Sequence, residues 1–216
     1  MAARKSAAIL ISGRGSNMRA LVEAAEAAGF PARIALVVSN NPVAAGLDYA
    51  QAKGITTAVI PSKGRSREDF DAELHATLKA HNIELVCLAG FMRILTEGFV
   101  QNWAGRMINI HPSLLPAFKG VHVHEQVVAS GVRFTGCTAH FVTPGMDEGP
   151  IIVQAVVPVP IGATADEVAA LVLEQEHRIY PQALRWLAEG RLTVEGQVVR
   201  VQEAAVPQGA MISPTV

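Results

Sequence analysis

The first half of the chain alternates short apolar runs with helical patterns, and this alternation restricts the possible folds more than any other feature. Strands that are buried on both faces are continuous apolar runs, and strand and helix in regular alternation predict a parallel sheet covered by helices. The predicted strands are 7–12, 34–39, 56–60, 84–89 and 107–110. The predicted helices between them are 16–28, 40–54 and 66–81.

The pattern changes in the second half of the chain. Residues 134–142 and 151–159 alternate more and flank a turn rich in Pro and Gly, which suggests antiparallel strands. Thr164 to Glu167 matches a capping box that opens a helix to about Ile179, which Pro181 should end or kink. A hairpin is predicted at 193–201. We therefore expect a three-layer, Rossmann-like α/β fold with a mostly parallel sheet, helices on both faces and an antiparallel C-terminal part. Residues 1–206 are predicted to form one domain and 207–216 a flexible tail.

Composition narrows the classes of partner. Half of the 216 residues are hydrophobic and 17% are charged, which predicts a folded globular chain. A net charge of −1 and 5% aromatic residues give neither a basic surface nor a stacking surface for nucleic acid. No apolar run approaches the ~18 residues of a membrane span, and the run after the basic start is too short for a signal peptide. We expect a soluble cytoplasmic protein without a nucleic-acid or membrane partner, and the sequence leaves monomer or homodimer open.

The strongest chemical signal lies where the fifth predicted strand ends, at Asn109-Ile110-His111-Pro112. Alternate strand positions share a face, so the carboxamide and the imidazole would face the same ligand. The amide can donate to a developing oxyanion, and the imidazole can stabilise charge or move a proton. Asp147 can pair with His111 if the fold brings them together. These groups suit transfer of an acyl-type group to an amine, without the G-x-S-x-G elbow of a covalent mechanism. Each residue alone is more often part of an ordinary loop.

A glycine loop, Gly13 to Asn17, joins the first strand to the first helix. Glycines let backbone N–H groups close on an anion, and a helix N-terminus favours negative charge. Ser16 and Asn17 add side-chain donors, so the loop predicts a phosphate site. The alternative is a tight turn with a serine cap. The dinucleotide spacing G-x-G-x-x-G is incomplete because Arg19-Ala20 stands where the last glycine is due.

A third segment, Gly90 to Leu95, leaves the fourth strand and exposes apolar residues. It suits the wall of a pocket for a flat heterocycle, with ordinary core as the equal alternative. All three segments follow parallel strands directly, and ligands bind at the carboxyl ends of such strands. We therefore expect the three segments to meet at one sheet edge.

A metal site is not expected. His111, His122, His124 and His140 have no cysteine or carboxylate at a recognisable ligand spacing. The two cysteines, Cys87 and Cys137, lack C-x-x-C spacing and lie in apolar stretches, which predicts buried free thiols.

Together these segments resemble the folate-dependent formyltransferases over roughly residues 7–195. The segment Asn109 to Pro116 and Asp147 mark the wider superfamily, which includes methionyl-tRNA formyltransferase and formyltetrahydrofolate deformylase. Gly15-Ser16-Asn17 and residues 175–181 favour the phosphoribosylglycinamide formyltransferases. The additional domain of either other enzyme is not expected within 216 residues. Arg14 and Lys119 depart from the family pattern.

The resemblance implies transfer of the formyl group of 10-formyltetrahydrofolate, as co-substrate, to the amino group of phosphoribosylglycinamide in purine (IMP) biosynthesis. Hydrolysis of formyltetrahydrofolate or another folate-dependent formyl transfer is the alternative. The implied catalytic residues are Asn109, His111 and Asp147. The implied ribonucleotide-binding residues are Gly15, Ser16, Asn17 and Glu176. The implied folate-binding residues are Arg67, Met92, Arg93, Ile94, Leu95 and again Asn109.

Overall fold

The structure is a computed structural model that describes residues 3–205 and 207–213. In these residues nine strands form one sheet with the order β3-β2-β1-β4-β5-β6-β7-β9-β8. The strands are β1 (Lys5–Ile11), β2 (Ala32–Ser39), β3 (Thr56–Val59), β4 (Leu85–Leu88), β5 (Met107–His111), β6 (Phe134–Phe141), β7 (Ile151–Pro158), β8 (Leu192–Glu195) and β9 (Val198–Val201). The helices are α1 (Ser16–Glu26), α2 (Gly46–Ala52), α3 (Arg67–Ala80), α4 (Glu97–Asn102), α5 (Val123–Ser130) and α6 (Ala165–Ala188).

The strand pairing changes at β5. Strand β1 pairs in parallel with β2 and β4, and β4 pairs in parallel with β5. Strand β6 runs antiparallel to both β5 and β7. The predicted fold class is therefore confirmed: a mostly parallel first half continues into an antiparallel part. Because β1, β4 and β5 are parallel neighbours, their carboxyl ends lie side by side at one edge.

Two hydrophobic layers cover the sheet. Alternate residues of β1 point to opposite faces, so Ala7, Ile9 and Ile11 pack in one layer while Ala8 and Leu10 pack in the other. The first layer includes apolar residues of α1, α2, α5 and α6, and the second includes those of α3 and α4. Both faces of the sheet are covered by apolar side chains, and this explains why the first strands are continuous apolar runs.

Helix α6 does not end at Pro181, one of the two outcomes, an end or a kink, that the sequence predicts. Its N-terminus is the predicted capping box, with Thr164 and Glu167 bonding reciprocally, but the helix continues through Pro181 to Ala188. Tyr180 and Leu184, on either side of the proline, are fully buried in the core. Packing of this buried face holds the helix together where a proline would break an isolated one.

Other boundaries also differ from the sequence patterns. Helix α2 begins at Gly46 instead of Asn40, because Asn41 forms a turn in which its Oδ1 accepts from the Val43 N–H at 3.2 Å. Helices α4 and α5 were not predicted; both are short, with six and eight residues. Residues 207–213 contain no helix or strand, and positions 214–216 of the predicted tail lie outside the described residues. Among the described residues no helix is long and apolar enough to cross a membrane.

Candidate active site

The three segments singled out in the sequence meet at the carboxyl edge of the parallel strands. Residues 13–17 follow β1 and residues 90–95 follow β4. Asn109 and His111 lie in the last three residues of β5. The buried Tyr180 hydroxyl of α6 joins the two central strands below this edge. It lies 2.7 Å from the Leu88 carbonyl oxygen and 3.1 Å from that of Ile108. Tyr180 therefore stabilises the positions of β4 and β5 at this edge without belonging to the predicted catalytic residues.

Asn109 is oriented by a neighbour on the antiparallel strand. His140 lies directly opposite Asn109 in the β5–β6 register, and its Nε2 is 3.3 Å from Asn109 Nδ2. His140 Nδ1 lies 2.8 Å from the Phe141 carbonyl oxygen, which can only accept, so Nδ1 carries the proton and Nε2 is free to accept from Asn109. Burial and, to a lesser extent, the neighbouring His111 lower the pKa of His140 against the raising effects of the Phe141 carbonyl and Asp147, and this favours that neutral ring. One N–H of the Asn109 carboxamide is thereby held, and the other remains for a ligand.

His111 is buried between two oxygen acceptors. Its Nε2 lies 2.9 Å from the Phe118 carbonyl oxygen, and its Nδ1 lies 3.5 Å from Asp147 Oδ2. Only 4% of His111 is exposed, and the Asp147 side chain is 11% exposed. A carbonyl cannot donate, so a neutral ring would turn its Nδ1 lone pair towards a carboxylate. A ring that also carried a proton on Nδ1 would point that N–H at the Asp147 carboxylate.

Asp147 is held by the loop that also contacts His111. Its Oδ2 accepts from the Gly120 N–H at 2.9 Å, and its backbone has a φ of 53°. Lys119, which departs from the family pattern, forms an ion pair at 2.9 Å with Glu148 in the neighbouring loop. The same segment contains the cis bond between Leu115 and Pro116. Residues 118–120 and 147–148 thus fasten the two loops to each other beside the imidazole.

The glycine loop presents an uncapped helix N-terminus. Gly15, with a φ of 75°, is the N-cap of α1, and no side chain caps the helix. This corrects the alternative of a serine cap, because Ser16 is already the first helical residue. The first helical bond runs from the Arg19 N–H to the Gly15 carbonyl, so the N–H groups of Ser16 to Met18 precede it. Such N–H groups suit an anion.

Glu176 reaches this loop from α6. Asn17 Nδ2 donates to Glu176 Oε2 at 2.8 Å, although the two residues are 159 positions apart. Glu176 is only 6% exposed, and burial raises its pKa to about 7 against the lowering effect of the Asn17 hydrogen bond. A carboxyl that keeps its proton near neutral pH repels a bound anion less than an ordinary glutamate would.

The predicted folate residues fall into two groups. Met92 and Ile94 are 74% and 56% exposed, so apolar surface is available to a ligand at this edge. Arg93 instead turns away, with its guanidinium 4.6 Å from the centre of the Phe70 ring and donating to the Ser66 carbonyl oxygen at 2.8 Å. Arg67 is exposed in the first turn of α3. Arg93 therefore fastens residues 92–95 to the start of α3, while Met92, Ile94 and Arg67 remain open.

Sequence reasoning missed His140 as a site residue. His140 was considered only among four histidines that could bind a metal, a possibility that the sequence did not support. The pairing that places His140 opposite Asn109 cannot be predicted from the sequence of either strand alone. Within the described part of the chain, no group of three or more His, Cys, Asp or Glu side chains is arranged to hold a metal ion. The predicted free thiols are confirmed: both Cys87 and Cys137 are buried and unpaired by any disulfide.

Comparison with known proteins agrees with this geometry. Residues 5–184 match the formyl transferase family model. The phosphoribosylglycinamide formyltransferase of Escherichia coli (strain K12) is 45% identical over 185 residues, which cover 85% of this chain and 87% of that protein. The crystal structure of glycinamide ribonucleotide transformylase 1 from Symbiobacterium toebii superposes with a TM-score of 0.89 at 44% identity, covering 92% of this chain and 94% of that one.

A further relative is much longer than this chain. The human trifunctional purine biosynthetic protein adenosine-3 is 47% identical over 199 residues, which cover 91% of this chain but 20% of that protein. The chain thus spans about a fifth of its length. The match of the family model over most of the sequence, together with the agreement in fold, shows that the chain belongs to the formyl transferase family.

Proposed function

We propose that the chain transfers the formyl group of 10-formyltetrahydrofolate to the amino group of phosphoribosylglycinamide, a step of purine biosynthesis. The observation that carries the proposal is the pair of Asn109 and His111 beside Asp147, at the same sheet edge as the uncapped N-terminus of α1. An oxyanion donor, a cation and an anion-binding loop in one place are what this transfer needs. The names of the E. coli and S. toebii relatives support the choice of substrates.

Asn109 acts as the oxyanion donor. The neutral amine attacks the formyl carbon, a new N–C bond forms, and the carbonyl oxygen becomes negative in the tetrahedral intermediate. His140 holds one N–H of the carboxamide, so the other is already oriented towards that oxygen. A pre-oriented donor stabilises the transition state without reorganising at the moment of reaction.

His111 and Asp147 act as a charged pair beside the reacting carbon. Both ring nitrogens face acceptors, which favours a standing imidazolium over a ring that relays the amine proton. Its positive charge stabilises the oxyanion, and Asp147 stabilises the imidazolium. When the intermediate collapses, the bond from the formyl carbon to the folate nitrogen breaks and that nitrogen gains the proton that the amine loses.

The two substrates are anchored on either side of this group. The α1 N–H groups, Ser16 and Asn17 bind the phosphate, and Glu176 binds the ribose hydroxyls. The folate lies against residues 92–95 with Arg67 at its charged end. The anchors contribute by holding the amine and the formyl carbon within attack distance.

The test is an assay of formyl transfer from 10-formyltetrahydrofolate to phosphoribosylglycinamide, with free formate measured in parallel. The proposal predicts a formylated amine that forms at the rate of folate consumption and little formate without the amine. The alternative, hydrolysis of formyltetrahydrofolate, predicts formate at an equal rate whether or not the amine is present. Formate released at the rate of folate consumption in the presence of the amine, with no formylated amine formed, would overturn the proposed transfer.

Two broader expectations accompany this proposal. Residues 1–206 act as one catalytic domain, and a biosynthetic enzyme of this kind works in the cytoplasm as a monomer or homodimer. Limited proteolysis that trims the chain after about residue 206 without loss of transfer would support the first expectation. Size-exclusion chromatography with light scattering decides the second.

A further inference from the structure

A closed chain of hydrogen bonds links the two substrate-binding segments, and Ser12 lies at its centre. Ser12 Oγ donates to Asn40 Oδ1 at 2.6 Å, and it accepts from the Met92 N–H at 2.7 Å. Asn40 Nδ2 donates to Ser62 Oγ at 3.1 Å, and Arg93 donates to the Ser62 carbonyl oxygen at 3.2 Å. Since Arg93 follows Met92 in the chain, the bonds form a ring across the ends of four strands.

The ring joins segments with separate tasks in the proposed function. Ser12 directly precedes the phosphate loop, defined here as residues 13–17. Met92 and Arg93 belong to the folate segment, defined here as residues 92–95. The Ser12 carbonyl also accepts from Asn41 Nδ2 at 3.2 Å, and the Gly13 carbonyl accepts from the Gly46 N–H at 3.1 Å. The loop side of the ring is therefore fixed to the segment that joins β2 to α2.

The folate segment is attached through Met92, Arg93 and Leu95. Met92 and Ile94 are largely exposed, and the backbone N–H of Met92 is held by Ser12 Oγ. The Arg93 guanidinium also binds carbonyl oxygens of Ser62, Arg65 and Ser66, and Leu95 packs against the core layer that contains α3 and α4. Loss of the Ser12 hydroxyl removes the direct bond between the two segments and leaves Asn40 Oδ1 without its donor.

We propose that Ser12 is a positioning residue that fixes the phosphate loop relative to the folate segment, and thereby the amine relative to the formyl carbon. This inference rests on the proposed function. In a two-substrate transfer the attack distance depends on how the two anchors sit relative to each other. A misplacement of about 1 Å can reduce the rate about a hundredfold without weakening either anchor. Ser12 touches neither reacting atom, so its effect falls on turnover and leaves the binding of each single substrate largely unchanged.

The test compares Ser12→Ala with Ser6→Ala in steady-state kinetics with both substrates. Ser6 lies at the opposite end of β1, is 4% exposed, and its Oγ has no hydrogen-bond partner. Because Ser12 directly follows the other end of β1, Ser6→Ala is a matched loss of a hydroxyl from the same part of the chain. We expect kcat to fall about tenfold in Ser12→Ala, with each KM within about twofold of the wild type, and no change in Ser6→Ala. A kcat of Ser12→Ala within twofold of the wild type would overturn the proposal, as would a loss confined to one KM.

Hydrogen exchange supplies a readout that does not depend on activity. The Met92 amide should exchange about tenfold faster in Ser12→Ala than in the wild type or Ser6→Ala, because its acceptor is lost. Unchanged exchange would also overturn the proposal. If Ser12→Ala does not fold, Asn40→Ala breaks the next bond of the ring and must show the same selective loss of kcat. A wild-type chain that transfers no formyl group refutes the proposed function itself, a result distinct from an active wild type with an unaffected Ser12→Ala.

Discussion

Replacing Glu176 by glutamine should remove a pH dependence of stability that this one buried carboxyl imposes. Burial raises its pKa to about 7, from the 4.5 of a glutamate in an unfolded chain. Glutamine keeps an oxygen that accepts from Asn17 Nδ2, so the hydrogen bond at 2.8 Å survives while the titration disappears. The variant thus isolates the cost of ionising a carboxylate at this position.

The sign of the change in the free energy of unfolding depends on whether Glu176 ionises at lower pH in the folded or in the unfolded chain. Below the unfolded pKa both states are protonated, and the side chain carries no penalty. As the pH rises from 4.5 towards 7, the unfolded chain loses its proton while the folded chain keeps it, so the free energy of unfolding falls. At about 1.4 kcal/mol for each pH unit between the two pKa values, the full loss is roughly 3 kcal/mol and is complete above the folded pKa.

Urea unfolding of the wild type and Glu176→Gln between about pH 4 and about pH 8 measures this effect. We expect the stability of the variant relative to the wild type to rise by roughly 3 kcal/mol over that range, because all other groups titrate in both proteins. Glu174→Gln, an exposed position on the same helix, is the matched control for the change of charge. A difference between Glu176→Gln and wild type that stays constant with pH would refute the argument from burial.

Three further substitutions test separate parts of the account. Asn109→Ala should lower kcat by about 10²–10³ because the oxyanion loses its donor, and steady-state kinetics with near-normal turnover would exclude that role. Asp147→Asn should lower kcat about tenfold to a hundredfold, since a neutral amide no longer stabilises the His111 cation, while the KM for folate changes little; a larger effect on KM than on kcat would point to binding instead. Tyr180→Phe should reduce the free energy of unfolding by about 1 kcal/mol, because the Leu88 and Ile108 carbonyls lose a donor, and an unchanged urea midpoint would contradict this.

The part of the site that lies on parallel strands could be predicted from the sequence. Apolar runs separated by helices fix the direction of β1, β4 and β5, and direction alone brings residues 13–17, 90–95 and 109–111 to one edge. Alternation along β5 likewise places Asn109 and His111 on one face. These inferences need no knowledge of long-range contacts, because they follow from periodicity and handedness.

The contacts of these residues with their partners do not follow from local patterns, because they depend on long-range pairing; the catalytic role of Asp147 is assigned through the family resemblance alone. His140 faces Asn109 only through the antiparallel β5–β6 pairing, and a shift by one residue would turn it to the other face. Asp147 reaches His111 from a turn with a φ of 53°, a conformation with no reliable signal in an Asp-Glu-Gly sequence. Helix α6 does not end at Pro181, because core packing on both sides of the proline overrides the local preference.

A structure of the chain with phosphoribosylglycinamide and a non-reactive formyl-folate analogue tests the central claim most directly. The account predicts the analogue's carbonyl oxygen about 2.7–3.1 Å from Asn109 Nδ2, with the phosphate on the N–H groups of Ser16 to Met18. The His111 ring would lie on the same side, still paired with Asp147. A formyl oxygen that faces solvent, or an amine anchored away from the edge formed by β1, β4 and β5, would contradict it.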